Sequence, residues 1–395
     1  MPTGAKVRRI AVALGAAVVL AASDGGYAAA ADPYQISVII PATGGGAFLG
    51  KSYRETFRAL AVAINRSGGI RGRNVVFDLE DSQTAPQTGL QIVNALIAKH
   101  VPAFIDGGPS TVCSASVPIV MNGGPVDYCL SPVIHPPPNS YVFSAGLSTV
   151  DQARIAVRYL RERGWKKIAM LSSTDTTGAD LEKQTDAALL AAENRGVKIV
   201  TRDHFNTGDL SVAAQVARIK SSDAQAVLVW TTGTPFGTVL RGLKDAGGAL
   251  PVLTTNSNMT YAQMDAYGGV MPALMLFPAL LALTPEATKP GPLRDAQTAF
   301  VQAFKAIGVR PDEGHILAWD PTMILVSALR KLGPDATATQ IRDYIAHLHG
   351  WVGVDGVYDF GSGDQRGIAD NAAAIARWNP QKNTWTRLSR PEGYL

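Results

Sequence analysis

Short apolar runs alternate with longer amphipathic stretches along most of the chain. The apolar runs are rich in Val, Ile and Leu, which is typical of strands buried on both faces. They predict strands over residues 36–40, 75–79, 103–105, 167–172, 197–200, 226–230 and 251–254. The amphipathic stretches predict helices over residues 52–67, 86–99, 149–163, 180–194, 212–220 and 236–246, and one more that starts near residue 111. Strands that alternate with helices of this length indicate an α/β protein with parallel sheets.

Glycines follow several of these predicted helices, and the pattern changes towards the C-terminus. Gly68, Gly164 and Gly247 stand where C-terminal caps are expected. Two further helices, over residues 316–332 and 338–347, precede a turn-rich β region over residues 351–385. A chain of 395 residues exceeds the size at which a single core keeps growing, so we expect two domains.

The first thirty-one residues have the layout of a cleavable secretory signal. Basic residues such as Lys6 and Arg8 precede an apolar run over residues 10–22, and small residues follow it up to Ala31. The run is shorter than the roughly 20 residues that span a bilayer. A buried N-terminal helix is the alternative interpretation. We expect residues 1–31 to be removed and the mature protein to be periplasmic, without a lipid anchor because the first cysteine is Cys113.

Composition narrows the function further. The sequence has 36 basic and 32 acidic residues, and without residues 1–31 its net charge is +2, so we expect no nucleic-acid partner. The two cysteines, Cys113 and Cys129, form either a disulfide or two free thiols in an exported protein. They are too few for a metal site, and we expect neither a metal nor a cofactor. The sequence contains neither G-x-S-x-G nor H-E-x-x-H, so we do not expect an enzyme.

Residues 45–52, GGAFLGKS, fit the phosphate-binding pattern G-x-x-x-x-G-K-[ST] and follow a predicted strand. Asp106, at the end of a later strand, would be the metal-binding aspartate of such a nucleotide site. Free ATP is scarce outside the cytoplasm, so an exported protein would lack this fuel. The favoured interpretation is a glycine-rich turn between a strand and a helix, beside a binding cleft.

Five segments in series carry a resemblance to a known family. They are residues 64–82, which include INRSGGIRGR, residues 105–111, IDGGPST, residues 143–146 and 151–153, and residues 353–367. Their content and order resemble the periplasmic solute-binding proteins of the branched-chain amino-acid (Leu/Ile/Val) ABC importer family. The resemblance covers nearly the whole mature chain.

The resemblance implies a type I periplasmic-binding fold, with two Rossmann-like α/β lobes of parallel sheets joined by three crossover strands. The crossovers are expected near residues 144–147, 277–284 and 350–356. The N-terminal lobe would comprise residues 32–145 and 284–350, and the C-terminal lobe residues 146–283 and 351–395. Such a protein is expected to be a monomer that captures a small molecule between its lobes and delivers it to the membrane permease and ATPase subunits. A ligand-sensing subunit of a signalling system would use the same fold.

The resemblance also places candidate ligand-binding residues. Ser110 and Thr111 match the segment that holds a ligand carboxylate at a helix N-terminus, where unpaired N–H groups attract anions; a plain helix cap is the alternative. Phe48 and Leu49 match the turn that covers the ligand, unless they pack in the core. Further candidates, each with an ordinary cap, loop or core role as its alternative, are His135, Thr177, Trp230, Thr232, His315 and Trp319.

Asn256 differs from the residue that amino-acid-binding members of the family have at this position. Relatives that bind amino acids have a carboxylate there, which pairs with the ligand ammonium, and no Asp or Glu occurs between Asp245 and Asp265. A buried ammonium without a counter-ion is costly, and nothing acidic is expected to face the anion site. Several candidates are flat rings suited to an aromatic ligand. The sequence therefore predicts an aromatic carboxylate, such as a benzoate or phenylpropanoid derivative, with a branched-chain amino acid or an amide as the alternative.

Overall fold

The structure, a computed structural model, describes residues 32–285, 288–361 and 363–395. The predicted signal peptide lies outside these ranges. The strands are β1 Tyr34–Ile40, β2 Val75–Asp81, β3 Ala103–Asp106, β4 Val126–Cys129, β5 Val142–Ser144, β6 Lys167–Ser173, β7 Lys198–Phe205, β8 Ala226–Trp230, β9 Val252–Thr254, β10 Met275–Leu280, β11 His349–Val352, β12 Val357–Asp359, β13 Ala373–Asn379 and β14 Thr384–Arg387. The helices are α1 Ala47–Arg66, α2 Pro86–Ala98, α3 Ser110–Val120, α4 Thr149–Glu162, α5 Thr176–Leu189, α6 Ala213–Ser221, α7 Thr234–Asp245, α8 Tyr261–Tyr267, α9 Pro292–Lys305, α10 Glu313–Leu332 and α11 Ala338–Ala346. Within the described ranges, no helix is both long enough and apolar enough to cross a bilayer.

Two sheets form the centres of two lobes. The first sheet has the order β2-β1-β3-β4-β5 and is parallel throughout. The second has the order β14-β13-β10-β9-β8-β6-β7. Its strands β10, β9, β8, β6 and β7 are parallel, whereas β13 is antiparallel to both β10 and β14. Strands such as β3 and β8 are buried at every position, because helices cover both faces of a parallel sheet. The α/β architecture with parallel sheets is confirmed.

The chain passes between the lobes in three places. After β5 it enters α4 of the second lobe, and after β10 it returns to α9, which packs against α1 of the first lobe. The third passage differs from the single strand predicted over residues 350–356. There β11 and β12 form an antiparallel hairpin, and the chain reaches β13 only beyond it.

Helix starts also differ from the predicted ones. Helix α1 begins at Ala47 rather than residue 52, so Lys51 lies within the helix and the glycine-rich loop is shorter than a phosphate-binding loop. Helix α5 begins at Thr176 rather than residue 180, because the Asp175 side chain accepts a hydrogen bond from the Gly178 N–H and caps the helix there. Strands β4 and β5 and helix α8 were not predicted because they are short. Helix α9 was not predicted either, although it has 14 residues.

Candidate functional site

A cavity of about 500 Å³ lies where the carboxyl ends of the strands of the two sheets face each other. Helices α1 and α3 of the first lobe and α5 and α7 of the second all begin at this cavity. The residues just before or within their first turns line it, including Gly46, Pro109, Asp175 and Gly233. Helix N-termini carry unpaired N–H groups and a partial positive charge. The cavity is therefore suited to an anionic ligand.

The start of α3 is held by a turn that only small residues allow. A Cβ on Gly107 would lie 2.8 Å from the Ile39 carbonyl oxygen, and one on Gly108 would lie 2.6 Å from a methyl carbon of Val112. The Gly108 N–H donates to Asp106 at 2.8 Å. These contacts bring Ser110, the first residue of α3, to the cavity wall.

Two further features fasten α3 to the sheet. Cys113 and Cys129 form a disulfide that links the second turn of α3 to the end of β4. Ser116, two turns into α3, lies within hydrogen-bond distance of both Asp106 (3.1 Å) and Asp127 (3.3 Å). Burial raises the pKa of both carboxyl groups, so the pair shares a proton more readily than two exposed acids would. The N-terminus of α3 is thus a fixed part of the site.

Direct contacts join the two lobes across the cavity. The Ser110 hydroxyl lies 2.6 Å from the Thr177 hydroxyl. The ring of Phe48 packs edge-on against Tyr267 of the second lobe, with 6.0 Å between centroids. A Cβ on Gly233 would lie only 2.6 Å from the Gly45 carbonyl oxygen. The structure is therefore a closed form, in which the first turns of α1 and α7 nearly touch.

Six of the eleven candidate residues line this cavity: Phe48, Leu49, Ser110, Thr111, Thr177 and Thr232. All six follow a strand within ten residues, so the order of strands and helices placed them at the sheet edge. Thr232 contributes a buried hydroxyl that has no hydrogen-bond partner among the described residues. These residues supply hydroxyl groups from both lobes and an apolar cover from one.

Trp230, Asn256 and Trp319 lie outside the lining. Trp230 is fully buried in the core, where its indole N–H donates to the Thr185 hydroxyl at 3.0 Å. Trp319 packs against the rings of Phe300 and Phe304 instead of facing the cavity. Asn256 turns its side chain towards α10, while its neighbours in the sequence line the cavity. Strand and helix periodicity did not show which face of these elements was turned inwards.

The two histidine candidates contact carboxylate side chains instead of lining the cavity. His135 lies 3.1 Å from Asp180 and joins the loop before β5 to α5 of the other lobe. His315 is buried between Asp312 and Glu55. Burial alone would lower the pKa of His315, but these two carboxylates outweigh it and raise the pKa to about 9. His315 is therefore charged at neutral pH. Its contact with Asp312 lies at the N-terminus of α10.

Sequence reasoning missed several residues of the lining, among them Tyr53, Ser131, Ser257 and Gln263. It also missed Asp175, so the expectation that nothing acidic faces the anion site is wrong. One Asp175 oxygen accepts from the Gly178 N–H and the Ser173 hydroxyl and caps α5. The sequence signal for Asp175 is a residue with capping ability just after the end of a predicted strand.

The lining contains no Lys, Arg or His among the residues that the structure describes. Nor do the described ranges contain a cluster of His, Cys, Asp and Glu that could hold a metal ion. A bound anion would therefore depend on hydroxyl groups and helix N-termini, not on a basic side chain.

The Gly233→Ala variant should bind ligand about tenfold more weakly than the parent protein, because the added methyl group meets the Gly45 carbonyl oxygen only in the closed form. Gly233 also has a positive φ of 83°, so the substitution strains the backbone in every state. Calorimetric titration and thermal unfolding without ligand separate the two effects.

The Gly247→Ala variant is the matched control for this prediction. Gly247 has a φ of 75° just beyond α7, and a Cβ there meets nothing within 4 Å. Both variants should lose similar stability, and only Gly233→Ala should lose affinity. Equal affinities in the two variants would show that closure does not require the close approach of Gly233 and Gly45.

Comparisons with known proteins agree with this architecture. The sequence profile of the family described as "Periplasmic binding protein" matches residues 33–384. The chain is 26% identical over 325 residues to "Leu/Ile/Val-binding protein homolog 3" of Brucella melitensis, covering 80% of this chain and 84% of that protein. Among solved structures it is similar to an extracellular ligand-binding receptor from Rhodopseudomonas palustris HaA2, with a TM-score of 0.80, 20% identity, and coverage of 90% of this chain and 99% of the other.

A second solved structure is similar in fold and carries a ligand. It is an ABC transporter solute-binding protein from R. palustris in complex with benzoate, with a TM-score of 0.76 and 16% identity. The similarity covers 90% of this chain and 95% of that protein. At such identity the likeness concerns the fold alone.

Proposed function

Because the chain belongs to the periplasmic binding protein family, whose members are extracytoplasmic solute-binding receptors, we propose that it captures a small carboxylate ligand between its lobes for an ABC importer. The permease and ATPase subunits of that importer would be its partners. A signal peptide over residues 1–31 would export it, so the mature N-terminus is expected between Ala29 and Pro33.

The observation that carries the proposal is the group of hydroxyls at the start of α3. Ser110 and Thr111 stand at that helix N-terminus, and the Thr177 hydroxyl of the other lobe lies 2.6 Å from Ser110. A carboxylate bound there would accept hydrogen bonds from both lobes. A ligand that contacts both lobes stabilises the closed form over an open one. Binding and closure are therefore the same event in this proposal.

We further propose that the ligand is an aromatic carboxylate, such as a benzoate or phenylpropanoid derivative. Apolar side chains of the lining, among them Phe48, Leu49 and Leu317, offer a surface for a ring. Micromolar affinity needs about −8 kcal/mol, which is roughly −0.9 kcal/mol for each of the nine or so heavy atoms of benzoate and lies within the limit for small ligands. The R. palustris protein of similar fold, which holds benzoate, supports this class.

A branched-chain amino acid is the second candidate, and one observation favours it. Asp175 lines the cavity, and the second oxygen of its carboxylate has no hydrogen-bond partner among the described residues, so it could face a ligand ammonium. The name of the Brucella relative points to the same ligands. Against it stands Asn256, because the family position that would carry the acid holds an amide here, and that amide donates to Glu313 outside the lining.

Calorimetric titration of the mature protein with benzoate, 4-hydroxybenzoate, 4-coumarate, leucine and valine separates the two candidates. We expect micromolar binding of at least one aromatic acid and none of the two amino acids. A thermal-shift measurement provides a second readout, since a ligand that binds only the folded protein raises its unfolding midpoint. Tight leucine binding together with silent aromatic acids would reject the aromatic assignment and leave the receptor function in place.

A further inference from the structure

Tyr53 lines the cavity from α1 and has a hydroxyl group that the protein does not use. The side chain is only 1% exposed. Its ring packs closely on the turn before α3, since a Cβ on Gly107 would lie 3.0 Å from a ring carbon of Tyr53. Burial and the nearby carboxyl groups of Glu313, Asp106 and Asp312 raise the pKa of Tyr53, and no hydrogen bond from a described residue contributes to the shift. A buried polar group without a partner is unfavourable, so a ligand atom that binds this hydroxyl gains affinity.

Glu313 lies directly behind the same wall. It is fully buried at the start of α10, and one of its oxygens accepts a hydrogen bond from the Asn256 amide at 2.6 Å. Its other oxygen has no partner within the described part of the chain. Leu317, one turn further along α10, and Thr255 and Ser257, on either side of Asn256, all line the cavity.

The surroundings of Glu313 favour its uncharged form. The titratable groups that face it are Asp312 on its own helix, Tyr53 and Glu55 on α1, Asp355 beyond β11, and His315, which is already paired with Asp312 and Glu55. Burial, with a smaller contribution from Asp312, raises the pKa of Glu313 well above its usual value. Burial therefore disfavours a negative charge on Glu313 behind this wall.

We propose that Tyr53 is a specificity-determining residue whose hydroxyl binds a neutral oxygen substituent of the ligand, so that the ligand is a hydroxy- or oxo-substituted carboxylic acid. This inference rests on the proposed function, because it assumes that the carboxylate occupies the start of α3. Protonated Glu313 acts as a positioning residue, which holds Asn256 away from the cavity and keeps the wall neutral. An uncharged hydroxyl or carbonyl group fits such a wall, whereas an ammonium group would lack a counter-ion there.

The test uses two pairs of acids that differ by one hydroxyl group, benzoate with 4-hydroxybenzoate and cinnamate with 4-coumarate. In at least one pair the parent protein should bind the hydroxy acid about tenfold more tightly, as expected for one added hydrogen bond to a buried group. In the Tyr53→Phe variant the ratio of the two dissociation constants should fall to about one.

Tyr128→Phe is the matched control. Tyr128 is another fully buried tyrosine of the first lobe whose hydroxyl has no partner among the described residues, but it does not line the cavity. Its removal should leave both dissociation constants unchanged. A ratio that survives in Tyr53→Phe, or equal binding of both acids in each pair by the parent protein, would overturn the role of Tyr53 and leave the proposed function standing. Absence of binding for all four acids would instead reject the proposed ligand class.

A measurement on the parent protein keeps the inference testable if the variant does not fold. Titrations of the hydroxy acid in two buffers of different ionisation enthalpy report the protons exchanged on binding. With Glu313 protonated before and after binding, we expect no net release. Release of a full proton would show that the bound ligand forces Glu313 to ionise, as an ammonium group would, and would overturn the neutral subsite.

Discussion

The Ser110→Ala, Thr111→Val double variant should bind its carboxylate ligand about 2 to 4 kcal/mol more weakly than the parent protein, which is about 30- to 1,000-fold in the dissociation constant. The variant lacks both hydroxyl groups at the first turn of α3, and with them one or two charge-assisted hydrogen bonds. It keeps the backbone N–H groups of the helix, so some attraction for the anion remains. Calorimetric titration with the aromatic acid that binds the parent protein most tightly measures the loss.

Ser114→Ala is the control for this variant. Ser114 lies on the same helix but does not line the cavity, so its substitution should leave the affinity unchanged. The double variant should also unfold at nearly the same temperature as the parent protein, because Thr111 is partly exposed and Ser110 lies at a helix end. An unchanged titration curve in a folded double variant would place the ligand carboxylate elsewhere in the cavity.

The parts of the site that the sequence predicted share one physical origin. In parallel sheets each strand is followed by a helix whose first turn lies at the carboxyl edge, so residues just after a strand come together in the fold. Thr111 and Thr177 were predicted from the family resemblance, and the positions of both agree with this rule. Thr232 was predicted because it lies two residues after the end of β8. Strand order and alternation therefore carry both the fold and this part of the site.

Residues deeper in the helices did not follow from the sequence. Helix α10 is buried at most of its positions, so its apolar pattern does not indicate which residue faces the cavity. Leu317 lines the cavity, while Trp319, two residues later, faces another part of the core. Helix α1 has an exposed face, but its buried face contacts both the core and the cavity, so its pattern did not single out Tyr53. The direction of a side chain on a fully buried element depends on tertiary packing, which local periodicity does not encode.

The conformation of the third passage between the lobes also depends on tertiary contacts. A single buried arginine, Arg366, makes several of these contacts. Arg366 is 3% exposed and donates hydrogen bonds to the backbone carbonyls of Ala145 and Gly146, on the first passage. It also donates to the carbonyls of Pro132 and Ile134, in the loop before β5. Burial lowers the pKa of Arg366 to about 10, which leaves the side chain protonated at neutral pH. One guanidinium group thus ties the first and third passages to each other and to that loop.

The Arg366→Met variant should lose about 3 to 5 kcal/mol of unfolding free energy, because methionine fills a similar length but leaves buried carbonyl groups without a donor. Urea unfolding followed by circular dichroism measures the loss as a lower transition midpoint. Arg377→Met is the control, since Arg377 is exposed on β13 and its substitution should change the unfolding free energy by no more than about 0.5 kcal/mol. If the two variants unfolded at the same urea concentration, the Arg366 hydrogen bonds would contribute little to stability, and the passages would be held by their apolar contacts instead.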